Sequence, residues 1–179
     1  MFATLNTRCA QRIHAATFSK QARSLGIVAT ETQARAGSLA RELAIVTAGF
    51  GKRVLLINTR EEQEFGTQCH TADDFLVCAM TTNTGYAEVH IARGSEAHRI
   101  INDAGELATL LDKLRERVDA IIFDLPAHDE VMPGVYAPIV VSALDAVMVV
   151  ALPTVTTSHR LTETLSWRKE SGGAVVAVI

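Results

Sequence analysis

Residues 39–60 read LARELAIVTAGFGKRVLLINTR, and the two halves of the stretch carry different periods. In the first half Leu39, Leu43 and Val46 recur at three- and four-residue steps, which puts them on one face of a helix. Gly49, Phe50 and Gly51 end that helix, because a glycine just past the last turn takes a left-handed backbone without steric cost. The second half, RVLLIN over residues 53–58, is a continuous aliphatic run of the kind found in strands buried on both faces. Helix, glycine turn and doubly buried strand in direct succession predict one unit of a parallel α/β sheet.

The same alternation continues in both directions. LGIVA (25–29) predicts an upstream strand, and Gly37-Ser38 ahead of the helix predicts its cap. YAEVHIA (86–92), DAIIFDLP (119–126), AVMVVA (146–151) and VVAVI (175–179) predict further strands, the second of them ending in a carboxylate. Leu107, Leu110, Leu111 and Leu114 predict a helix over 102–118, and a last helix over 156–168 lies between two strands. Phe2, Leu5, Cys9, Ile13 and Ala16 predict an amphipathic helix within residues 2–23, on the flank of the domain. Residues 60–85 are loosely patterned. The class that follows is α/β: an open, mostly parallel, doubly wound sheet flanked by helices, in one domain spanning 1–179.

Composition narrows the functions. With 48% hydrophobic and 21% charged residues, the chain has enough apolar surface to offset its conformational entropy. The formal net charge is −3, with Lys and Arg scattered, so the sequence predicts no nucleic-acid partner. No apolar run approaches the roughly 20 residues that span a bilayer. The N-terminal stretch is interrupted by Arg and His and shows no small-residue cleavage site, so the sequence predicts no secretory signal and a cytoplasmic location. Cys9, Cys69 and Cys78 have no metal-type spacing and are odd in number, which predicts reduced thiols. The six histidines form no helical zinc pair.

Residues 39–60 resemble the helix and second strand that follow the P-loop in the MinD/ParA superfamily of deviant-Walker ATPases, whose pattern runs close to LAxNLAxxLAxxGKRVLLIDxD. Within that superfamily the chain is most similar to the cytoplasmic tyrosine-kinase domains of bacterial polysaccharide export systems. DAIIFDLPA (119–127) resembles their DxIIxDxPP Walker B strand, LDAVMVVALPTVTT (144–157) resembles aDxvllVvxxxxT, and GGAVVAVI resembles gaxvxGvVlN. Residues 72–78 echo GLxDxLxG. These matches span most of 25–179, and they imply a P-loop NTPase-like fold.

The resemblance breaks at the phosphate-binding loop. Aligned on Leu39-Ala40, the family's G-x-G-K-[ST]-[ST] falls on Gln33, Ala34, Arg35, Ala36, Gly37 and Ser38. A P-loop needs glycines so that backbone N–H groups can curl around phosphate, a lysine to neutralise the β- and γ-phosphates, and a hydroxyl for Mg²⁺. Gln33 and Arg35 place side chains where backbone must approach the ligand, and Ala36 carries no charge. The signature lysine, near position 31, is Glu31. The IDxD that follows strand two reads Ile57, Asn58, Thr59, Arg60. Of the charged set, Asp124 alone matches, in the Walker B place. The degenerate pocket is therefore Arg35, Gly37, Ser38, Asn58 and Asp124, with no catalytic residue and no metal site assigned.

What the resemblance implies is a non-catalytic pseudo-ATPase, binding no ATP or ADP, that serves as a scaffold or regulatory partner in envelope or exopolysaccharide biosynthesis. Its implied partners are proteins: a polysaccharide synthase or export complex that would hold it at the inner membrane, and a second copy of itself, since relatives pair across the nucleotide face. Tyr86 and Tyr136 are the two tyrosines, so the C-terminal tyrosine cluster of those kinases is missing. Two alternatives stay open. In a divergent ATPase, Arg35 contacts phosphate through its guanidinium and Asp124 keeps its role. A ParA/MinD-like positioning factor is the other, although no basic amphipathic C-terminal helix supports it. Bland readings stand beside these: Asp124 caps a loop at a strand end, and Leu161, Leu165 and Trp167 pack on the sheet or the N-terminal helix. A hydrolytic set of Asp124, His128, Asp129 and Ser142 lacks a nucleophile elbow.

Overall fold

Short strands, most of them apolar on both sides, build the centre of the molecule: β1 (Ser24–Ala29), β2 (Val54–Asn58), β3 (Thr67–Cys69), β4 (Tyr86–Ile91), β5 (Ala120–Asp124), β6 (Ala146–Val150) and β7 (Ala174–Val178). The computed structural model describes residues 2–31, 36–59, 67–81, 85–128, 134–152, 155–169 and 174–178. These strands form one sheet in the order β3-β4-β2-β5-β1-β6-β7. Every pairing among them is parallel. Every residue of β1, β2, β5 and β6 is buried, as the continuous apolar runs require of a sheet covered on both faces.

Helices α1 (Phe2–Ala16) and α2 (Ala36–Gly49) cover one face. There Ala10, Ile13, Leu39 and Leu43 close over Leu25, Ile27, Leu56, Ile122 and Met148. On the opposite face α3 (Ala72–Met80), α4 (Glu96–Ile101), α5 (Ala104–Arg115), α6 (Ala137–Ala143) and α7 (Ser158–Lys169) enclose Leu55, Ile57, Ile121, Phe123 and Val149. Leu161 and Leu165 pack against this second core, so α7 lies on the sheet face away from the N-terminal helix. Trp167's side chain lies outside the described set.

Several boundaries differ from the sequence reading. Gly37 and Ser38 do not cap α2: the helix already includes Ala36, which places both inside its first turn. At its other end Gly51 has φ +78°, as the glycine turn requires. The helix expected over 102–118 is α5, which starts at Ala104 because Asp103 accepts hydrogen bonds from the N–H groups of Gly105 and Glu106, each at 2.9 Å; α4, ending at Ile101, is a separate helix that precedes it. Within 60–85 the structure adds β3 and α3, and it adds α6 after β5. In α1 the buried face is Ala10, Ile13 and His14, while Ala16 is exposed.

The topology fixes where a site can form. From β1 the chain crosses through α2 toward β2, whereas from β5 it crosses through α6 on the other face toward β6. The carboxyl ends of β1 and β5 are thus the point where the winding reverses, and in open α/β sheets ligands bind outside such a point.

Candidate functional site at the carboxyl edge

Asp124 closes β5 at that reversal point. Its neighbours in register are Ile27 on β1 and Asn58 on β2. It is 1% exposed. Its main-chain oxygen accepts hydrogen bonds from Thr59, from the N–H at 3.1 Å and from the hydroxyl at 2.7 Å. The carboxylate lies against the first turn of α2, where a Cβ placed on Gly37 would come within 2.7 Å of Oδ2. A negative group at a helix N-terminus is favoured by the helix dipole and by the amide hydrogens that have no partner inside the helix. Glycine at 37 is what permits this approach. It also removes the hydroxyl that the resemblance places there.

Asn58, 2% exposed, sits beside Asp124 on one side and beside His90 of β4 on the other. Three polar side chains therefore line up across the ends of β5, β2 and β4 under α2. Arg41 of α2 grips Glu88, two residues before His90, through Nε at 3.0 and 3.1 Å and Nη2 at 2.8 Å. His90 is 4% exposed, its Nε2 lies 3.6 Å from Glu88, and among the described residues neither ring nitrogen has a hydrogen-bond partner. Burial pushes its pKa down; the Glu88 carboxylate opposes that and Arg41 reinforces it.

A second buried cluster follows β1. The Glu31 carboxylate, on a residue 2% exposed, accepts hydrogen bonds from the hydroxyls of Thr30 and Thr156, the latter at 2.6 Å. Arg160 of α7 donates to its other oxygen at 3.4 Å. Burial raises the carboxyl pKa, and the bonds from Thr156, Thr30 and Arg160 outweigh it, leaving the group below its ordinary value. Glu31 is therefore a carboxylate at neutral pH.

Of the sequence-derived pocket, Gly37, Asn58 and Asp124 come together, while Ser38 is exposed on α2 and turned to solvent. Arg35 lies outside the described residues, as do Gln33, Ala34 and Arg60. The hydrolytic set does not assemble. Ser142 is exposed on α6, on the face opposite α2, and donates to the Ile139 carbonyl at 2.7 Å. His128 pairs with Glu163 at 3.2 Å, and Asp129 is outside the described residues. Sequence reading missed Thr30, Thr156, Arg160, Arg41, Glu88 and His90. The alternation of YAEVHIA held one signal, since it puts Glu88 and His90 on the same face of a strand. Among the described residues no three His, Cys, Asp or Glu side chains are placed to hold a metal ion, and no helix is long and apolar enough to cross a membrane.

Solved structures share this architecture. The BceF tyrosine kinase domain is 17% identical with a TM-score of 0.70, the match covering 97% of this chain and 74% of that one. The kinase domain of Escherichia coli tyrosine kinase ETK is 16% identical with a TM-score of 0.68, covering 93% and 70%. The septum site-determining protein MinD of Pyrococcus horikoshii, complexed with Mg-ADP, is 14% identical with a TM-score of 0.60, covering 87% and 68%. No protein-family model matches the sequence, and no curated protein matches it. The chain shares its fold with these tyrosine kinase domains and with MinD and a ParA family ATPase.

Proposed function

We propose that this chain is a pseudo-ATPase, a P-loop-fold protein that acts through protein contacts as a scaffold or regulatory partner in bacterial envelope or exopolysaccharide assembly. The observation that carries the reading is Glu31. A buried, ionised carboxylate with all its donors supplied from within the chain puts negative charge where a triphosphate would need positive charge. Gly37 and Asn58 add to it, since neither supplies the hydroxyl or carboxylate that would organise Mg²⁺. These residues fit a magnesium nucleotide poorly. Polysaccharide assembly as the setting rests on the sequence resemblance to export-system kinase domains, with the shared fold of BceF and ETK as support. The partners in this reading are a synthase or export complex and a second copy of the chain, paired across the carboxyl edge.

A second reading, a divergent nucleotide-binding ATPase, is favoured by Asp124, buried at the Walker B place against the first turn of α2. Calorimetry with Mg-ATP and Mg-ADP separates the two. Absence of heat together with an unchanged melting temperature is the expected result. Micromolar binding that disappears in Asp124→Ala would overturn the pseudo-ATPase. Light scattering on the eluting protein tests the pairing, and a monomer at high concentration would remove it.

A further inference from the structure

Glu31 is held in the way proteins hold small oxyanions. Two hydroxyls converge on one carboxylate oxygen and a guanidinium reaches the other, a donor set that serves carboxylate and phosphate alike. Each donor is fixed from behind. Thr30 is 0% exposed, and its N–H donates to the Val150 carbonyl at 2.9 Å. The Thr156 oxygen accepts the Leu152 N–H at 2.9 Å, while Arg160 rides on the first turns of α7. Thr30 follows the end of β1, whereas Thr156 lies just before α7 and Arg160 in its first turn, so two parts of the chain far apart in sequence supply the donors.

We propose that Thr30, Thr156 and Arg160 form an oxyanion cradle and that Glu31 is its built-in ligand. In this arrangement the chain itself supplies the anion at the carboxyl edge, and the carboxylate ties α7 to the end of β1. A carboxylate or phosphate ion is the class of ligand the cradle takes once Glu31 is removed. The proposal rests on the reading that this edge holds no magnesium nucleotide in the native chain, and the test keeps the two apart.

Chemical rescue is the test. Glu31→Ala takes from Arg160 and from the Thr30 and Thr156 hydroxyls the carboxylate they share, so its melting temperature is expected to fall by roughly 5 °C. Formate, acetate or inorganic phosphate should restore it in a concentration-dependent way, while chloride at equal ionic strength should not. The carboxylate and phosphate arms show which anion the cradle prefers. The native chain should respond to none of them, and Glu31→Ala combined with Arg160→Ala should lose the rescue. Stability equal to the native chain in Glu31→Ala, rescue by chloride, or rescue that survives loss of Arg160 would each overturn the cradle. If Glu31→Ala does not fold in plain buffer, its refolding from urea is followed with formate, with inorganic phosphate and with chloride: recovery that needs formate or phosphate supports the proposal, and no recovery with either counts against it. Binding of Mg-ATP by the native chain would remove the pseudo-ATPase reading and leave the rescue result standing.

Discussion

Gly37 and Asp124 are packed so closely that a single methyl group on the glycine would lie 2.7 Å from the aspartate's Oδ2. Replacing an interior helical glycine by alanine ordinarily stabilises by about 1 kcal/mol. Here the sign should reverse. The added Cβ meets a carboxylate that is 1% exposed and has little room to withdraw. Gly37→Ala is expected to lose about 1–2 kcal/mol in urea denaturation, as overpacking does in a dense interior. A stabilised variant would show that Asp124 moves aside freely.

Acid should weaken the protein well above the pH at which carboxylates titrate. Burial lowers the pKa of His90, and burial with the nearby Lys52 ammonium lowers that of His14. With folded-state values below the unfolded one, the unfolded chain takes up protons first as pH falls. Stability is then complete above about pH 6.5 and is lost progressively below it, toward the folded-state pKa values. The urea midpoint is expected to drop between about pH 7.5 and 5.5, and to drop less in His90→Leu. A midpoint that rises on acidification would contradict the assignment.

The ion pair between Arg41 and Glu88 joins α2 to β4 through three nitrogen–oxygen contacts of 2.8 to 3.1 Å. Both side chains keep some solvent contact, at 36% and 18%, so screening limits its strength. A double-mutant cycle with Arg41→Ala and Glu88→Ala should give a coupling of about 1 kcal/mol that shrinks as salt is added. Zero coupling at low salt would reduce the contact to a packing feature.

Helix α3 begins with a reciprocal cap. The Thr71 hydroxyl accepts the Asp74 N–H at 3.3 Å, and the Asp74 carboxylate accepts the Thr71 N–H at 2.8 Å and the His70 N–H at 2.7 Å. Thr71→Ala is expected to cost about 1 kcal/mol, with faster amide exchange concentrated in α3. Uniform acceleration across the sheet would instead mean that the helix has no local opening of its own.

The elements legible in the sequence were those whose burial follows a simple period. RVLLIN and DAIIFDLP announced β2 and β5 because both faces of a central parallel strand are dry, and the leucines at 107, 110, 111 and 114 announced α5. Helices α3 and α6 were overlooked for different reasons. The Thr71 and Asp74 cap was present in the sequence, but it opened a helix of nine residues, too short to display a clear period. Helix α6 is seven residues rich in Val and Ile, a composition that favours strands, and its helical state comes from packing. At the site, Asn58 and Asp124 were found through alignment of their strands. The donors around Glu31 were not, because Thr30, Thr156 and Arg160 converge only when β1 and β6 lie side by side.

The strand order has a consequence for how the chain reaches this structure. β1 ends up between β5 and β6, so the partners of Ser24–Ala29 are not made until synthesis has passed residue 120 and then residue 146. No described strand pairs with a sequence neighbour through a tight turn, and closing such distant contacts spends loop entropy before any sheet is gained. A strand buried along its whole length in the finished sheet must therefore wait, exposed, while the rest of the polypeptide emerges. A protein wound in this order is expected to fold slowly and to depend on chaperones more than a helical bundle of equal length, whatever ligand its carboxyl edge does or does not hold.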